Sequence, residues 1–487
     1  MYLVNTKKRT ENNIKISKKE MRTMIGVIIE KGASDWQIFQ QENGYAKVTL
    51  EGHYVRNHDP EKEEGYAKVP NVFVMVSKEE NGEPVIWWRK CEISGEHWRT
   101  ELDIPAGGPY TIHTSLGEGE ADRWSEWDTR GDIIQHVGVG DLYVIAGQSN
   151  SSGYGKDFIT DPPELGVHVY KNNGRWTLAA HPLQDSTGAD GKPNLDTSNT
   201  GHSLYLSFAK YLKHDLGYPI GLIQTSQGGS PLSAWNPGQD GRLYRNMIQC
   251  IKECGGKIAA CIWYQGCNET NFAHDAETYA ERFLAMRQKM FEDLGYDNIP
   301  FVVVQIACCN DPASAGADGI WGTVREQIRE LNRGHRNLYV IPASDLSYSD
   351  HIHISAASNM RLGERAAKVL LHHVFGKTYM CDAPDIKYAK RKGADTVEVA
   401  FDNVYERLEA QIDGKNLAIK AEDSDGIVNV REYKIEDRNK IILRFERKPG
   451  PGAVLNCGAT KNTRDIIPFD YATHLPVLLF YGVKIED

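Results

Sequence analysis

Residues 141–150 read DLYVIAGQSN, an apolar run that ends at a glycine and is followed at once by polar residues. An apolar run of this length between turn signals is typical of a strand that is buried on both faces. Longer amphipathic segments separate it from later runs, among them GLIQTS, AACIWYQG, FVVVQIA and LYVIPASDL. Because parallel strands need crossover helices between them, this alternation predicts an α/β domain with a doubly wound parallel sheet over residues 141–377.

The residues on either side of this domain have a different pattern. Residues 24–140 contain short β-branched and aromatic runs, such as AKVTLEGHYV and NVFVMVS, separated by glycine, proline and asparagine, which predicts an N-terminal β-sandwich domain. Residues 378–487 return to strand patterns such as TVEVAF and NKIILRF and predict a small C-terminal β domain. Residues 1–23 are interpreted as a tail.

The first residues of the chain and its cysteines bear on its location. The N-terminus is basic but contains no uninterrupted apolar segment and no small-residue cleavage site, so it does not resemble a secretory signal. We therefore expect a cytoplasmic protein. The 9 cysteines are odd in number and scattered, without the paired spacing of structural zinc sites, which predicts reduced thiols and no bound metal.

The composition restricts the kinds of partner. With 40% hydrophobic and 25% charged residues, and no apolar stretch of about 18 residues, the chain has the character of a globular protein without a membrane partner. The formal net charge of -10 argues against nucleic acid, whose binding requires clustered lysine and arginine. We expect a neutral substrate. The oligomeric state is left open, a homo-oligomer included.

The ligand site of an open parallel sheet lies outside the carboxyl ends of its strands. At the end of the first apolar run stands Ser149, which would present its hydroxyl to solvent at the strand tip and is the candidate nucleophile. The alternative is an ordinary helix-capping serine. The G-x-S-x-G nucleophile motif is not met, because Ser151 occupies the second glycine position.

Two further strand ends offer donors for the oxyanion of an acyl-transfer reaction. After GLIQTS come Gly228 and Gly229, whose backbone N–H groups could point at a developing negative charge, although a plain turn would also use two glycines. After AACIWYQG comes Asn268, whose side-chain amide could supply another donor, although asparagine also favours loops.

The fourth strand end carries SDHIHIS, in which Asp350 precedes His353 by three residues. This spacing lets the carboxylate hold the imidazole in the tautomer that accepts a serine proton. His351 competes for the role, but a residue adjacent to the aspartate cannot easily turn back to it and also face the serine, so His353 is favoured. A solvated histidine-rich loop is the other interpretation. Four such signals at four strand ends together predict a Ser-His-Asp hydrolase.

These blocks resemble those of the SGNH hydrolase superfamily, and more closely those of the sialate O-acetylesterase-like carbohydrate esterases. The similarity covers about residues 70–377. The matching positions are Ser149 in GQSN, Gly228 or Gly229 in QGGS, Asn268 in GCNE, and Asp350 with His353 in DHIH.

The resemblance implies an SGNH-type fold and an enzyme that hydrolyses acetyl esters on an acetylated mono- or oligosaccharide through an acetyl-enzyme, without a cofactor. The residues are compatible with xylo- and manno-oligosaccharides and with O-acetyl sialic acid. Two other functions stay open: a catalytically inactive carbohydrate-binding protein, and a lipase or thioesterase on the same scaffold.

Two positions near the expected oxyanion hole need separate treatment. Where the family usually has QGE, this chain has Gln265, Gly266 and Cys267, so the role of the family's glutamate is either absent or taken by Glu269. Gln265 is the second choice as an oxyanion donor. Six residues beyond Gly229, Trp235 is the candidate for stacking on a sugar ring, with a core indole as the alternative.

Overall fold

The computed structural model describes residues 25–310, 318–410, 416–462 and 464–487. The expected tail, residues 1–23, lies outside them. Among the described residues, no helix combines the length and the apolar character needed to cross a membrane.

The first part of the described chain is built of strands. β3 and β7 pair with β1 and β6 in one antiparallel sheet, while β4 pairs with β5 and β8, and β8 pairs with β9. Every second residue of β7 is buried, as the two-residue period of a strand with one solvent-facing side requires. Apolar side chains of both sheets share one core. The strands are β1 Gly26–Lys31, β2 Ile38–Gln40, β3 Tyr45–Val55, β4 Tyr66–Lys78, β5 Pro84–Lys90, β6 Glu92–Ser94, β7 His97–Pro105, β8 Gly107–Gly119 and β9 Thr129–Gly147.

Two long strand-like runs of the sequence are divided between these sheets. HWRTELDIPAGGPYTIHTS breaks at Ala106 into β7 and β8, and VIWWRKCEI breaks at Cys91 into β5 and β6. Gly107 has φ 137°, which L side chains rarely adopt, and so it can redirect the chain from one sheet to the other. The pattern of apolar residues alone did not reveal these corners.

The middle part of the chain is an α/β unit around a parallel sheet. In the described chain the strand order is β11-β10-β12-β9-β13-β14-β15, and all neighbours are parallel except β10 and β11. Strands β12, β13 and β14 are buried throughout, which explains their unbroken apolar sequences. The added strands are β10 Val167–Tyr170, β11 Trp176–Leu178, β12 Ile220–Gln224, β13 Ala260–Tyr264, β14 Phe301–Val304 and β15 Leu338–Ile341.

Helices connect these strands. α2 packs against α7, and α5 packs against both α3 and α6. α3 was missing from the sequence prediction, although Leu243, Tyr244, Met247 and Ile251 form a buried stripe at helical spacing that could have revealed it. The helices are α1 Ser149–Ser152, α2 Tyr205–Leu216, α3 Arg242–Glu253, α4 Ala273–Glu277, α5 Tyr279–Leu294, α6 Asp318–Leu331 and α7 Ala356–His373, with 3₁₀ helices at Leu232–Ala234 and Asn268–Asn271.

The strand β9 belongs to both the N-terminal strands and the parallel sheet of the α/β unit. Its earlier residues pair with β8 and β2, and its later residues, from Asp141, pair with β12 and then also with β13. The division expected between residues 140 and 141 therefore falls inside one continuous strand.

The last part of the chain forms β structure with its own apolar core. Within the described residues, the main sheet has the order β20-β19-β23-β25-β16-β17-β22-β21, and β18 pairs with β24. The strands are β16 Asp385–Arg391, β17 Thr396–Asp402, β18 Leu408–Glu409, β19 Ile419–Asp423, β20 Gly426–Val428, β21 Val430–Glu436, β22 Lys440–Phe445, β23 Val454–Cys457, β24 Phe469–Asp470 and β25 Phe480–Glu486.

Buried polar side chains join this C-terminal part to the α/β unit. Arg325 of α6 donates hydrogen bonds to the carbonyls of Gly458 and Thr460, each at 2.6 Å, and to that of Ala307 at 2.8 Å. The amide of Gln305, just beyond β14, donates to the carbonyl of Leu479 at 2.8 Å and accepts its N–H at 2.9 Å. The end of β14 is thus used for docking the C-terminal part.

Candidate active site

Ser149 lies where the sequence places the nucleophile, directly after the central strand β9. Gly147, the last residue of β9, has φ 128°, and a Cβ there would lie 2.2 Å from the carbonyl oxygen of Tyr264, so only glycine fits this turn. Ser149 is the first residue of α1, and the capping position belongs to Gln148. The Ser149 side chain therefore does not cap the helix, and its hydroxyl makes no hydrogen bond with any described residue.

Gln148 joins the nucleophile turn to the next strand end. Its N–H donates to the carbonyl of Tyr264 at 3.0 Å. Its Oε1 accepts the N–H groups of Gly266 at 3.0 Å and Asn268 at 3.2 Å. This buried amide fixes Ser149 relative to the segment that carries Asn268, a role that the sequence analysis missed.

The structure pairs Asp350 with His353. Asp350 Oδ2 lies 2.7 Å from Nδ1 of His353, so Nδ1 carries the proton and Nε2 is left to accept one. Oδ1 of the same carboxylate accepts the N–H of Ile352 at 2.8 Å and that of His353 at 2.7 Å. Burial would raise the pKa of the Asp350 carboxyl, but these hydrogen bonds outweigh it and hold that pKa below its usual value.

The competing histidine has another environment. The His351 side chain is exposed and makes no hydrogen bond with a described residue, and only its carbonyl is engaged, accepting the N–H of Asn310 at 2.6 Å. His351 therefore lacks the carboxylate partner that would orient its ring.

Asn150 connects the nucleophile helix to the histidine. Its Nδ2 donates to the carbonyl of Ile352 at 3.2 Å, and its Oδ1 accepts the N–H of Ile354 at 3.1 Å. These two residues flank His353 in the chain. The residue that follows Ser149 thus holds the backbone on both sides of the candidate base.

The two glycines after β12 differ in whether the backbone N–H already has an acceptor. The N–H of Gly228 donates to Oδ2 of Asp196 at 2.9 Å, so the expectation that Gly228 serves the oxyanion is wrong. The N–H groups of Gly229 and Ser149 have no acceptor among the described residues. Asn268 Nδ2 donates one hydrogen to the carbonyl of Gly229 at 3.0 Å, which places the amide beside this glycine with its second hydrogen unused.

Two other sequence expectations are corrected. Gln265 is fully buried, and its amide donates to Glu269 and to the carbonyl of Ser230 at 3.3 Å, so no hydrogen remains for an oxyanion. Trp235 is 0% exposed, and its Nε1 donates to Oγ of Ser230 at 3.0 Å. An indole enclosed in this way cannot stack on a sugar, and the core interpretation holds.

Glu269 and Cys267 have supporting positions. The buried Glu269 carboxylate accepts the N–H of Leu232 and the amide of Gln265, so it joins the segments that follow β12 and β13. Burial raises its pKa, against the effect of these hydrogen bonds. Burial also raises the pKa of the Cys267 thiol to about 12, which keeps it protonated and unreactive as a nucleophile.

Tyr154 covers one side of the histidine. Its ring stacks on that of His353 with centroids 4.6 Å apart and an angle of 23°. Its hydroxyl donates to the Asp196 carboxylate at 3.1 Å, and the same carboxylate accepts the N–H of Gly228. Tyr154 and Asp196 therefore connect the base to the oxyanion side. No sequence spacing indicated this, because the contact joins segments far apart in the chain.

Groups that could hold a metal ion lie elsewhere. Among the described residues two sets have ligand atoms close enough together, and neither includes Ser149, Asp350 or His353. The sets are Asp161 with His181 and His202, and His372 with His373 and Asp382.

Known proteins similar to this chain match the part that carries the site. Residues 139–372 match the family model described as carbohydrate esterase, sialic acid-specific acetylesterase. A protein of Arabidopsis thaliana named as a probable carbohydrate esterase is 26% identical over 265 residues, which are 49% of this chain and 94% of that protein. The sialate O-acetylesterase of Homo sapiens is 26% identical over 227 residues, 39% of this chain and 41% of that protein. The chain thus matches about two fifths of the length of that acetylesterase.

A solved structure resembles a larger share of the chain. The crystal structure of a carbohydrate acetylesterase from Xanthomonas citri has a TM-score of 0.64 and 20% identity, and the match covers 93% of this chain and 99% of that one. At this identity the likeness establishes the fold alone, which is α/β.

Proposed function

We propose that this chain, which matches the family model of sialic acid-specific carbohydrate acetylesterases through residues 139–372, removes acetyl groups from sugars by a Ser-His-Asp mechanism. Ser149 is the nucleophile, His353 the general base, and Asp350 the residue that orients the base. The observation that carries the proposal is the 2.7 Å Asp350–His353 pair, which Asn150 holds beside the nucleophile helix.

The first half of the reaction forms an acetyl-enzyme. Oγ of Ser149 attacks the acetyl carbonyl carbon while its proton passes to Nε2 of His353. Asp350 stabilises the imidazolium that forms. The bond from the carbonyl carbon to the sugar oxygen then breaks, and His353 returns the proton to that oxygen, so the sugar leaves as a free alcohol.

The second half regenerates the enzyme. Water attacks the acetyl carbon and gives a proton to His353, the bond from that carbon to Oγ of Ser149 breaks, and His353 returns the proton to Oγ. Acetic acid leaves and ionises to acetate. In both halves the negative charge on the carbonyl oxygen is stabilised by the N–H groups of Ser149 and Gly229 and by the second amide hydrogen of Asn268. The absence of other acceptors for these two N–H groups among the described residues supports this assignment.

The substrate we propose is an acetylated mono- or oligosaccharide. The family model and the Arabidopsis relative are both described as carbohydrate esterases, which supports a sugar over a lipid or thioester. The pairing of Asp350 with His353 and the free hydroxyl of Ser149 among the described residues support an enzyme over an inactive binding protein.

Acetate release from a panel of acetylated xylo- and manno-oligosaccharides and O-acetyl sialic acids tests the proposal. We expect release by the wild-type chain and none above background by Ser149→Ala with an unchanged circular dichroism spectrum. Ser151→Ala is the matched control, because its hydroxyl is bonded inward, to the carbonyl of Ala146 at 2.9 Å. Equal acetate release by Ser149→Ala and the wild type would disprove the nucleophile.

Two further proposals concern the parts on either side of the α/β unit and the location of the protein. We propose that residues 24–140 form a β-sandwich domain and residues 378–487 a small β domain, each supporting the catalytic unit. We propose a cytoplasmic location, which the buried and unpaired state of all nine cysteines supports, since free thiols persist in reducing compartments. Cell fractionation tests it, and recovery of the protein from the culture medium would contradict it.

A further inference from the structure

Tryptophan side chains gather on β5 and on the loop between β8 and β9. β5 pairs only with β4 among the described strands and so forms an edge of the sheet. Two residues of β5, Trp87 and Trp88, stand opposite the single residue Met75 of β4, which is a β-bulge. In a regular strand successive side chains point to opposite faces. Here both indoles contact the same ring, that of Trp124.

The cluster contains a stacked pair of indoles and two indoles that are largely exposed to solvent. Trp88 stacks on Trp124 with centroids 5.1 Å apart and an angle of 13°, and the Arg130 guanidinium lies 5.0 Å and 5.3 Å from these two rings. Trp87 meets Trp124 edge to face at 5.7 Å. Trp87 is 61% exposed, and Trp127, three residues beyond Trp124, is 87% exposed. The inner stack of Trp88 on Trp124 thus supports the exposed indole of Trp87, and the exposed Trp127 follows Trp124 by three residues in the same loop.

We propose that Trp87, Trp88, Trp124 and Trp127, here called the tryptophan platform, bind the pyranose rings of a carbohydrate chain. Indoles offer flat apolar faces that suit the C–H face of a sugar ring, and large exposed aromatic side chains mark binding sites. The charged groups beside them, Arg130 and the ion pair of Lys90 with Asp122, supply donors and acceptors for sugar hydroxyls.

The size of the patch favours a sugar over a protein. The two exposed indoles present on the order of 400 Å², whereas a stable protein interface needs about 800 Å² from each partner. The neighbours of the indoles include the charged residues Lys90, Asp122 and Arg130, which would have to lose water in a protein interface.

The choice of a sugar as the ligand of the platform rests on the proposed function. The test therefore measures sugar binding separately from ester hydrolysis. Calorimetric titration of the full chain with xylohexaose and with mannohexaose, neither of which carries an acetyl ester, measures binding without hydrolysis. We expect binding of one or both by the wild type. Trp87→Ala/Trp127→Ala should weaken it about tenfold or more, since each stacked ring contributes severalfold, and Trp87→Phe/Trp127→Phe should restore part of it.

Tyr45→Ala is the matched control, because Tyr45 is an exposed aromatic residue on β3 of the other N-terminal sheet, and its binding should equal that of the wild type. Turnover of 4-nitrophenyl acetate should be the same in all variants. Undiminished binding by Trp87→Ala/Trp127→Ala, or no binding of either hexasaccharide by the wild type, overturns the platform. The proposal is also overturned if the wild type is a dimer and Trp87→Ala/Trp127→Ala is a monomer, because the indoles would then bind a second copy of the chain. If the wild type binds a hexasaccharide through these tryptophans but releases no acetate from the acetylated oligosaccharides, the esterase function is refuted and the proposed platform is not.

Discussion

Asn150 is hydrogen-bonded to the main chain on both sides of His353, through the carbonyl of Ile352 and the N–H of Ile354. An asparagine side chain has a donor and an acceptor on one short amide, so it can satisfy both groups at once. Asn150, which follows Ser149 in α1, therefore holds the segment that carries His353 beside that helix, and four of the predictions below concern the roles proposed for these residues.

Asn150→Asp should impair catalysis without removing a reacting group. The carboxylate still accepts the N–H of Ile354 but has no hydrogen for the carbonyl of Ile352, so the segment that carries His353 shifts. A displacement of about 1 Å costs about a hundredfold in rate. We therefore expect kcat for 4-nitrophenyl acetate to fall about a hundredfold, with little change in KM. Ser152→Ala, on the same helix but bonded to Ser226, is the control. Near-normal kcat in a folded Asn150→Asp would show that these bonds are dispensable.

His353→Ala and His351→Ala should differ sharply. Loss of the paired histidine removes the proton acceptor for Ser149 and should lower kcat/KM by about a thousandfold or more. His351 has an exposed side chain without a hydrogen bond to a described residue, and its removal should change kcat/KM less than about threefold. The assignment fails if only the His351 variant is inactive.

Asp350→Asn should lower kcat by about a thousandfold or more, because the amide no longer stabilises the imidazolium. The pKa of Asp350 lies below its ordinary value of 3.8, so the stabilisation it gives is complete above that value and is lost only as the pH falls through the lowered one. Protonation of Asp350 should therefore cost the wild type no activity from about pH 5 to 8, and the wild type should exceed Asp350→Asn throughout that range. Equal kcat values for the two proteins at a pH within this range would mean that the Asp350 carboxylate is already neutral there.

Asn268→Asp should lower kcat by about a hundredfold or more, because it replaces an oxyanion donor by a negative charge. KM for 4-nitrophenyl acetate should change little, since the charge on the carbonyl oxygen develops only in the transition state. Asn271→Asp makes the same charge change on an exposed position of the same 3₁₀ helix and is the control. Equal effects of the two substitutions would assign the loss to charge alone.

Arg325→Met should reduce stability. The substitution leaves the buried carbonyls of Ala307, Gly458 and Thr460 without their donor, at a cost of about 1–3 kcal/mol for each unsatisfied group. Urea unfolding should show a lower free energy of unfolding than in the wild type. In a separate hydrogen-exchange measurement, the amides of the C-terminal strands should exchange first. Arg361→Met, which alters a largely exposed arginine of α7, should unfold like the wild type. An unchanged unfolding midpoint for Arg325→Met would contradict the docking role.

The parallel sheet could be predicted because strands such as β12 and β13 are buried on both faces and so are apolar without interruption. The positions of Ser149, Asp350 and His353 followed from the rule that sites lie beyond the carboxyl ends of such strands. Local order along the chain contains that information.

The remaining features depend on contacts between distant segments. Gly228 and Gly229 are equivalent in sequence, and contacts with distant residues distinguish them: Asp196 accepts the N–H of Gly228, and Asn268 donates to the carbonyl of Gly229. Trp235 follows a short 3₁₀ helix without a periodic pattern, so the sequence does not show which way its indole faces. Gln148 and Asn150 have partners up to about two hundred positions away and no local signature.

The strand β9 limits the distance between the tryptophan platform and Ser149. Arg130, beside the tryptophan platform, is the second residue of β9, and Ser149 lies two residues beyond its end. The 19 residue steps between them, at about 3.3 Å each, set an upper limit of about 60 Å on their separation. Because no loop interrupts the strand, this spacing cannot be adjusted by a hinge. A sugar chain anchored at the platform would therefore offer Ser149 acetyl groups at a fixed distance along its length, and the pattern of acetyl groups removed would record that distance.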